Sequence, residues 1–399
     1  MADRVSIIIF CQSLGWSLME ELHFLEGLAA NRTAMRPVLG GPAASLATLL
    51  SGRMPAEHGH FAWLRYSPAT SPFRACRFYA FLPGRNSRTV RRRALESVRR
   101  SSGANGRLSL FNVPLQHLPL FDFVERRDLF EPEALGEVKT LIDILIQSGS
   151  RFYASSFRRS DPDNADALAD ALKAGALDTA ILHIGGLERV LAERGPGSPG
   201  TRGRIAWLDH RVRKLCDIAS SRYAGVDLVV LSDTGVVPVR GLRDLHARLA
   251  TTGCRYGRDY VAMYSPTMAQ FWYASDSGRG AVPVALAATA GGNLLAEEQL
   301  KAEGCRSPDH RFGESIFLAE PGTRIAPNFI ESDGSVALSG YHPDTPGMEA
   351  GIVTNMQDIE LPTDVRDVFP LLADVATHRR ARLQREQSAA TPATGGTAG

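Results

Sequence analysis

Apolar runs alternate along the chain with amphipathic segments, and this alternation predicts a sheet covered by helices. Residues 5–10, 179–184 and 226–231 are apolar and rich in β-branched side chains, typical of strands buried on both faces. A fourth strand is predicted over residues 151–155. The predicted helices are residues 14–30, 43–50, 138–147, 163–173 and 202–220. Strands alternating with helices indicate an α/β fold with a mostly parallel, doubly wound sheet.

Two stretches interrupt this alternation. Residues 61–133 contain an arginine-rich run at 85–107, and residues 245–330 are rich in tyrosine and tryptophan. We predict a single domain over residues 1–376, in which both stretches are insertions that cover the site like a cap. The arginine run is interpreted as solvated surface, with phosphate binding as the alternative. Residues 377–399 are of low complexity and are predicted to be disordered.

Composition narrows the class of protein. Hydrophobic residues make up 44% of the chain and charged residues 22%, which is globular rather than disordered composition. The net charge of +2 gives no overall attraction to nucleic acid or to an anionic membrane, so we expect neither as a partner. The five cysteines form no C-x-x-C pair, and no apolar run is long enough to span a membrane. These features predict a cytoplasmic protein with reduced thiols.

Five separated segments carry motifs that can be compared with known families. They are Gln12-Ser-Leu-Gly-Trp16 after the first strand, PAASLATLLSGRMPAEHG at 42–59, ERVLAERGP at 188–196, SDTG at 232–235, and GYHP at 340–343 with the later Met348. In this order and spacing they resemble the alkaline phosphatase superfamily. The most similar branch is the type I phosphodiesterase/nucleotide pyrophosphatase group. The resemblance implies that family's α/β fold.

The resemblance also implies a site with two metal ions, usually zinc, and a Ser or Thr nucleophile. Two cations clamp the attacking and leaving oxygens of a phosphoryl group. Transferred by position, the ligands of one metal fall on Glu188, Ala192 and His342. The ligands of the other metal fall on Gln12, Pro42, Asp233 and Thr234. Pro42 is also the position of the family's nucleophile.

Most of these positions depart from the family pattern. Pro42 has no hydroxyl group, Ala192 has no donor atom, and Gln12 replaces an aspartate with a neutral amide. Among the seven positions only Asp233 and His342 match the family. We therefore predict no cofactor and no two-metal mechanism. Zinc is expected only if the departures at Gln12, Pro42, Ala192 and Thr234 are compensated elsewhere. If the alignment around Pro42 is shifted by a few residues, Ser45 or Thr48 would be the substitute nucleophile on the same helix.

Polar residues at the predicted strand ends are the candidates for chemistry. We assign acid–base roles to His342, Asp233 and Glu188. The substrate-binding candidates are Gln12, Ser13, Ser45, Thr234 and Arg189. Each of these residues also has a purely structural interpretation, such as a helix cap or a surface ion pair. Cys11 is either a nucleophile or a buried strand residue.

Three functions remain open at this point. The first is a metal-independent, repurposed enzyme that acts on a small anionic or nucleotide-like metabolite. The second is a catalytically dead pseudo-phosphodiesterase that serves as a binding or scaffold protein. The third is a metal-dependent phosphodiesterase with a displaced nucleophile. In each case the expected partner is a small molecule, plausibly phosphorylated. Oligomeric state stays open, and a homo-oligomer is compatible with the sequence.

Overall fold

A six-stranded sheet forms the centre of the protein, in a computed structural model that describes residues 2–74, 87–102, 112–330 and 334–378. Its strands are β1 Ala2–Cys11, β2 Asn31–Met35, β5 Phe152–Ala154, β6 Thr179–Ile184, β7 Tyr223–Ser232 and β16 Ala350–Thr354. They lie in the order β2-β16-β7-β1-β6-β5. β1, β5, β6 and β7 are parallel, while β16 is antiparallel to both of its neighbours. The predicted mostly parallel α/β sheet is confirmed.

Helices lie on both faces of this sheet, and others pack in a separate hydrophobic cluster. They are α1 Trp16–Glu21, α2 Pro42–Ser51, α3 Pro55–His58, α4 Arg88–Ser102, α5 Leu141–Gln147, α6 Asp161–Lys173, α7 Gly186–Arg194, α8 Pro199–Ser220, α9 Leu245–Ala250, α10 Asp276–Ala287, α11 Glu297–Ala302 and α12 Val368–Ala376. Single 3₁₀ turns occur at Leu118–Leu120 and Val365–Asp367. Within the described ranges, no helix is both long and apolar enough to cross a membrane.

The first strand shows why the central runs are apolar throughout. Ile7 and Ile9 pack with helices α6 and α8 on one face of the sheet, whereas Ile8 and Phe10 pack with α2, α5 and α12 on the other. Successive side chains of a strand point to opposite faces, so a strand covered on both sides needs apolar residues at every position. The continuous pattern is thus explained by the two helical layers.

The helix predicted over residues 14–30 is wrong beyond its first turns. α1 ends at Glu21, and the chain continues in turns up to Leu28. His23 and Leu25 adopt φ values of 50° and 55°, which no α-helix accommodates. Phe24 and Leu25 are buried in the core next to α8, and the Leu25 amide donates to Asp209. Tertiary packing of these two side chains therefore overrides the local helical pattern.

The two stretches that are predicted to be insertions pack against each other. The remaining strands are β3 Leu64–Tyr66, β4 Phe121–Phe123, β8 Val237–Pro238, β9 Gly241–Arg243, β10 Tyr260–Tyr264, β11 Met268–Tyr273, β12 Gly292–Leu294, β13 Ser315–Ala319, β14 Thr323–Ile325 and β15 Ala337–Leu338. β10–β13 form an antiparallel sheet, and β3 pairs with β4 in a hairpin. Both contribute to one hydrophobic cluster, in which Phe73 and Phe123 lie with Tyr260 and Phe271.

Part of the arginine-rich run is visible in α4. Ala94 and Val98 are buried against the same cluster, while Arg92 and Arg93 are exposed to solvent. This placement agrees with the solvated-surface interpretation for the arginines of α4 that can be described. Arg85 and Arg107 lie outside the described residues, as do residues 379–399 of the predicted disordered tail. The division into one domain with two insertions stays a prediction.

Candidate functional site

The carboxyl ends of three parallel strands meet at one edge of the sheet, which we call the rim. Cys11 is in register with both Ile184 and Ser232, so β1, β6 and β7 end at the same level. Gln12, Gly185 and Asp233 are the residues that immediately follow these strands. Ligand sites of open α/β sheets lie beyond the carboxyl ends of the strands. The rim residues predicted from the motifs are therefore brought together.

A cavity of about 700 Å³ opens above the rim. Its walls come from the start of α2, from α7, from the loop between β10 and β11, and from the segment around β15. The charged residues in its wall are Glu188, Arg189 and Glu193, and Trp63 contributes an indole ring. We call this space the rim cavity. Its volume is in the range of small-molecule sites.

Glu188 is the candidate acid–base residue that lines the rim cavity. Gln12 donates a hydrogen bond from its side-chain Nε2 to Oε2 of Glu188, at 2.7 Å. The Gln12 side chain is buried, and its backbone amide is bonded to the carbonyl of Ile184 at 2.9 Å. An amide N–H that donates to a carboxylate favours the ionised form. The two predicted residues thus form one unit across strand β1 and helix α7.

The placement of Glu188 depends on Asp161, which sequence reasoning did not single out. The carboxylate of Asp161 accepts from the backbone amides of Gly185 and Gly186, at 3.2 and 2.8 Å, where α7 begins. It also pairs with Arg204 of α8, whose guanidinium stacks 4.1 Å above the ring of Trp207. Acidic groups at a helix start satisfy free N–H groups and favour the helix dipole. In the sequence Asp161 is only the first residue of α6, and nothing there indicates that its side chain bonds to the start of α7.

Asp233 and Thr234 are buried beneath the rim. Asp233 accepts from the backbone amide of Ser13 at 2.7 Å, which holds Ser13 in a left-handed conformation with φ of 62°. Thr234 directs its hydroxyl to the carbonyls of Gly235 and Met348, at 3.2 and 3.3 Å. Neither Asp233 nor Thr234 lines the rim cavity. Their contacts are those of residues that support the strand ends.

Pro42 lies between the rim cavity and a smaller void below it. It lines both spaces, and the smaller one is also lined by Gln12 and Asp233. Pro42 is the first residue of α2, where a missing N–H is tolerated and a fixed φ suits the helix start. The position aligned with the family nucleophile therefore presents a pyrrolidine ring to the cavity.

The two substitute nucleophiles are not placed to attack a ligand in the rim cavity. Ser45 and Thr48 are buried, and neither lines the cavity. The Thr48 hydroxyl lies 3.1 Å from Nε2 of His58, while Nδ1 of His58 accepts from the amide of His60. Nδ1 is therefore the unprotonated nitrogen, and Nε2–H donates to Thr48. A histidine in this tautomer cannot remove the hydroxyl proton.

His342 is separated from the other acid–base candidates. Its Nδ1 accepts from the amide of Asp344 at 3.3 Å, and the same nitrogen lies 3.6 Å from the Asp344 carboxylate. Asp344 in turn pairs with Arg36 at 2.6 Å. His342 does not line the rim cavity, whereas its neighbour Gly340 does. Its catalytic role stays a prediction that these contacts do not support.

The structural interpretation is supported for Cys11. Burial raises the pKa of its thiol far above the usual range, and the nearby carboxylates of Asp161 and Asp233 raise it further. A thiol in such surroundings stays protonated at neutral pH. Since the thiolate is the nucleophilic form, Cys11 is a core residue at the end of β1.

The donor atoms present at the rim do not fit a pair of zinc ions. In the part of the chain that the structure describes, no three His, Cys, Asp or Glu side chains are grouped so that they could hold a metal. Glu188 is bonded to a neutral amide, and the aligned Ala192 offers no donor. Zinc sites need at least three such ligands.

The chain is similar in architecture to solved structures, although comparison of its sequence with family models and curated proteins finds no match. No family model matches the chain, and no curated protein is similar to it in sequence. Murine ectonucleotide pyrophosphatase/phosphodiesterase 5 superposes with a TM-score of 0.64 at 14% identity, over 93% of this chain and 94% of that one. The chain has the fold of an ectonucleotide pyrophosphatase/phosphodiesterase. The α/β fold that the resemblance implied is thus confirmed.

Two further structures show the same similarity. An inactive threonine-to-alanine variant of the murine protein, in complex with AMP, gives a TM-score of 0.64 at 15% identity, covering 94% of this chain and 95% of the other. The human protein gives 0.62 at 13% identity, with the same two coverages. At these identities the similarity establishes architecture and leaves the chemistry to be argued from the rim itself.

Proposed function

We propose that this protein is a metal-independent enzyme that acts on a small nucleotide-like metabolite in the rim cavity. The observation that carries the proposal is the Gln12–Glu188 hydrogen bond at the cavity wall. It joins a carboxylate and an amide donor where the superfamily pattern has metal ligands. In place of a cation, the Glu188 carboxylate has a neutral hydrogen-bond donor, the side-chain amide of Gln12.

The chemistry proposed for this unit is proton transfer. Glu188 lines the cavity, so its carboxylate can reach a bound substrate. A hydrogen bond from Gln12 stabilises the ionised form, which is the form a general base needs. Arg189 is exposed and lines the same cavity, where its guanidinium can pair with an anionic group of the substrate.

A nucleotide-like substrate is favoured by the cavity wall and by the architecture. Trp63 lines the cavity and its ring offers a flat surface for a base, and Ser265 and Thr267 line it as well. The structure of the inactive murine variant, which has the same fold, is a complex with AMP. We therefore propose that a nucleoside monophosphate occupies the cavity, with the base near Trp63 and the phosphate near Arg189.

The proposal is tested by binding of AMP to purified protein, measured by calorimetry. Arg189→Gln should weaken AMP binding about ten- to hundredfold, since a charge-assisted contact contributes about 1.5–3 kcal/mol. Arg194→Gln is the matched control, because Arg194 is on the same helix but outside the cavity wall. Equal loss in both variants, or no AMP binding by the parent protein, would contradict the proposed site.

Catalysis is tested separately from binding. Glu188→Gln removes the carboxylate but keeps the side chain's size, so it should retain AMP binding and abolish turnover of nucleotide-like substrates. Elemental analysis of the purified protein accompanies this assay. Two zinc ions per chain would overturn the metal-independent mechanism and favour the metal-dependent alternative.

The binding-protein alternative uses the same cavity without chemistry. Pro42 and Ala192 are inert residues in its wall, which supports this second candidate. It predicts that AMP binds and raises the melting temperature, yet no substrate from a nucleotide library is converted. Turnover that disappears in Glu188→Gln would exclude it.

A further inference from the structure

A second cleft of about 750 Å³ lies on the side of the antiparallel sheet, and it shares no lining residue with the rim cavity. One wall is the end of the β3 hairpin, the base comes from β10 and β11, and the other wall is the loop over residues 309–314. The Gln12–Glu188 unit takes no part in it. The cleft is therefore available for a separate function.

Aromatic rings form much of its surface. The rings of Tyr66 and Trp272 lie with their centroids 5.4 Å apart and inclined by 32°, and Tyr273 lines the cleft beside them. The indole N–H of Trp272 donates to the carbonyl of His310 at 2.8 Å, which fixes the orientation of its ring. Trp272 itself is buried, whereas Tyr66 and Tyr273 are partly exposed and offer surfaces on which a flat ligand can pack.

Arg65 brings a positive charge that its neighbours do not balance. Its guanidinium is 3.5 Å from the buried carboxylate of Asp122, directly across the hairpin. Asp122 already has closer partners, because Arg126 donates two bonds at 2.7 and 2.9 Å and Thr70 donates a third at 2.8 Å. Two arginines thus share one carboxylate, and Arg126 holds the better geometry.

The exposure of Arg65 agrees with this account. Its Nε is buried and finds no acceptor among the described residues, yet 40% of the side chain is exposed. An anion at the exposed part of the guanidinium would offset the electrostatic cost of the buried, unbonded edge. Such an anion would lie beside the rings of Tyr66 and Trp272.

The other charged groups in the cleft wall are already paired. Arg311 binds Asp309 through contacts of 2.8–2.9 Å, and Glu314 binds Arg279 while accepting from the amide of Tyr273. These pairs contribute no net charge. Within the described part of the chain, Arg65 therefore sets the sign of the cleft.

We propose that this cleft is a second ligand site, which binds a flat aromatic ring carrying one carboxylate. The ring packs against Tyr66, which Trp272 holds in place, and the carboxylate bonds to Arg65. The planar guanidinium suits a carboxylate better than an ammonium group would, because it offers parallel N–H donors. The site is independent of the proposed activity at the rim.

The experiment compares two probes of nearly the same shape, 2-naphthoate and the uncharged 2-naphthamide, by calorimetry. The parent protein should bind naphthoate about tenfold more tightly than naphthamide, as expected for one charge-assisted contact. Arg65→Gln should bring naphthoate to the affinity of naphthamide. The control is Arg258→Gln, which changes an exposed arginine just before β10 that does not line the cleft. It should change the affinity for neither probe.

A second variant tests the aromatic wall. Tyr66→Ala should weaken both probes by the same factor, since both use the ring. It also keeps the test decisive if Arg65→Gln does not fold. Glu188→Gln should leave naphthoate binding unchanged, which separates this cleft from the rim cavity. Equal affinities of the two probes for the parent protein, or no binding of naphthoate at millimolar concentration, would overturn the proposal.

Discussion

His58 and His60 show how enclosure determines the charge of a side chain. Burial lowers the pKa of His58 to about 3, and its neighbour His60 adds to the decrease. Burial also lowers the pKa of His60 to about 4, where the hydrogen bond to the His58 carbonyl acts in the opposite direction. Both rings are therefore neutral in the folded protein at physiological pH, as the tautomer of His58 requires.

This charge state predicts a loss of stability in mild acid. In the unfolded chain both histidines take up protons below pH ~6.5, whereas the folded protein does not until the pH approaches their lowered pKa values. The free energy of unfolding should therefore fall between pH ~6.5 and ~4, by at most about 1.4 kcal/mol per pH unit for each histidine. Urea unfolding across this pH range measures the slope.

Variants separate these histidines from other titrating groups. His60→Gln should reduce the slope, since one proton fewer is taken up on unfolding. The control is His23→Gln, because the His23 side chain is 73% exposed. An unchanged slope in the His60 variant would show that its ring is charged or accessible in the folded protein.

Gly235 is a position where backbone packing excludes every side chain. A Cβ at this position would lie 2.1 Å from the carbonyl oxygen of Gly347. Gly235→Ala should therefore force the β7 end away from that loop and destabilise the protein by about 1–3 kcal/mol or more. The control is Gly203→Ala in α8, which meets nothing within 4 Å and should stabilise by about 0.5–1 kcal/mol. Denaturant unfolding of both variants gives the comparison, and equal effects would refute it.

At the scale of elements, Asp161 connects α6, α7 and α8 at a single carboxylate. Asp161→Asn removes the charge that pairs with Arg204 and weakens the bonds to Gly185 and Gly186. We expect a loss of about 1–3 kcal/mol in the free energy of unfolding. We also expect weaker AMP binding, because the start of α7 carries Glu188 and Arg189. Asp163→Asn, an exposed substitution on the first turn of α6, is the matched control for both measurements.

Elements with strong local patterns were predictable from sequence. The run at 179–184 is a strand with those bounds, and the runs at 5–10 and 226–231 lie within β1 and β7. They are apolar at every position because both faces are covered. The segment 14–30 was not predictable, since His23 and Leu25 leave the helix to satisfy packing against α8. Local periodicity contains no information about that distant surface.

At the scale of the whole molecule, Arg36 joins three parts of the chain that are far apart in sequence. It follows β2, binds Glu303 after α11 through two contacts of 2.6 and 3.0 Å, and binds Asp344 at 2.6 Å. The Glu303 side chain is 9% exposed. These ion pairs connect the end of β2 to the loop between α11 and β13 and to the loop after β15.

Breaking this connection should be costly because it leaves a buried carboxylate without its cation. Arg36→Met should destabilise the protein by about 2–4 kcal/mol, somewhat less than a fully buried pair because Arg36 is partly exposed. The double variant Arg36→Met with Glu303→Met should recover part of that loss. Unfolding of the single and double variants forms the test, and additive losses would show that the two residues do not interact.

The sequence by itself determined that the sheet is mostly parallel and covered by helices, and that the motif segments follow its strands at the rim. Both follow from local information: the period of apolar residues, and short runs of identifiable residues after each strand. It also showed that Pro42 has no hydroxyl group and that the Ala192 side chain has no donor atom, because that follows from residue identity alone.

Only the tertiary structure decided which rim residues line the rim cavity. Gln12 and Glu188 are 176 positions apart yet form one hydrogen-bonded unit, while His342 pairs with Asp344 away from the cavity. Asp161 and Arg65 became notable only through their partners. A side chain's surroundings are supplied by segments distant in sequence, and their relative placement is set by the packing of the whole chain rather than by any local pattern.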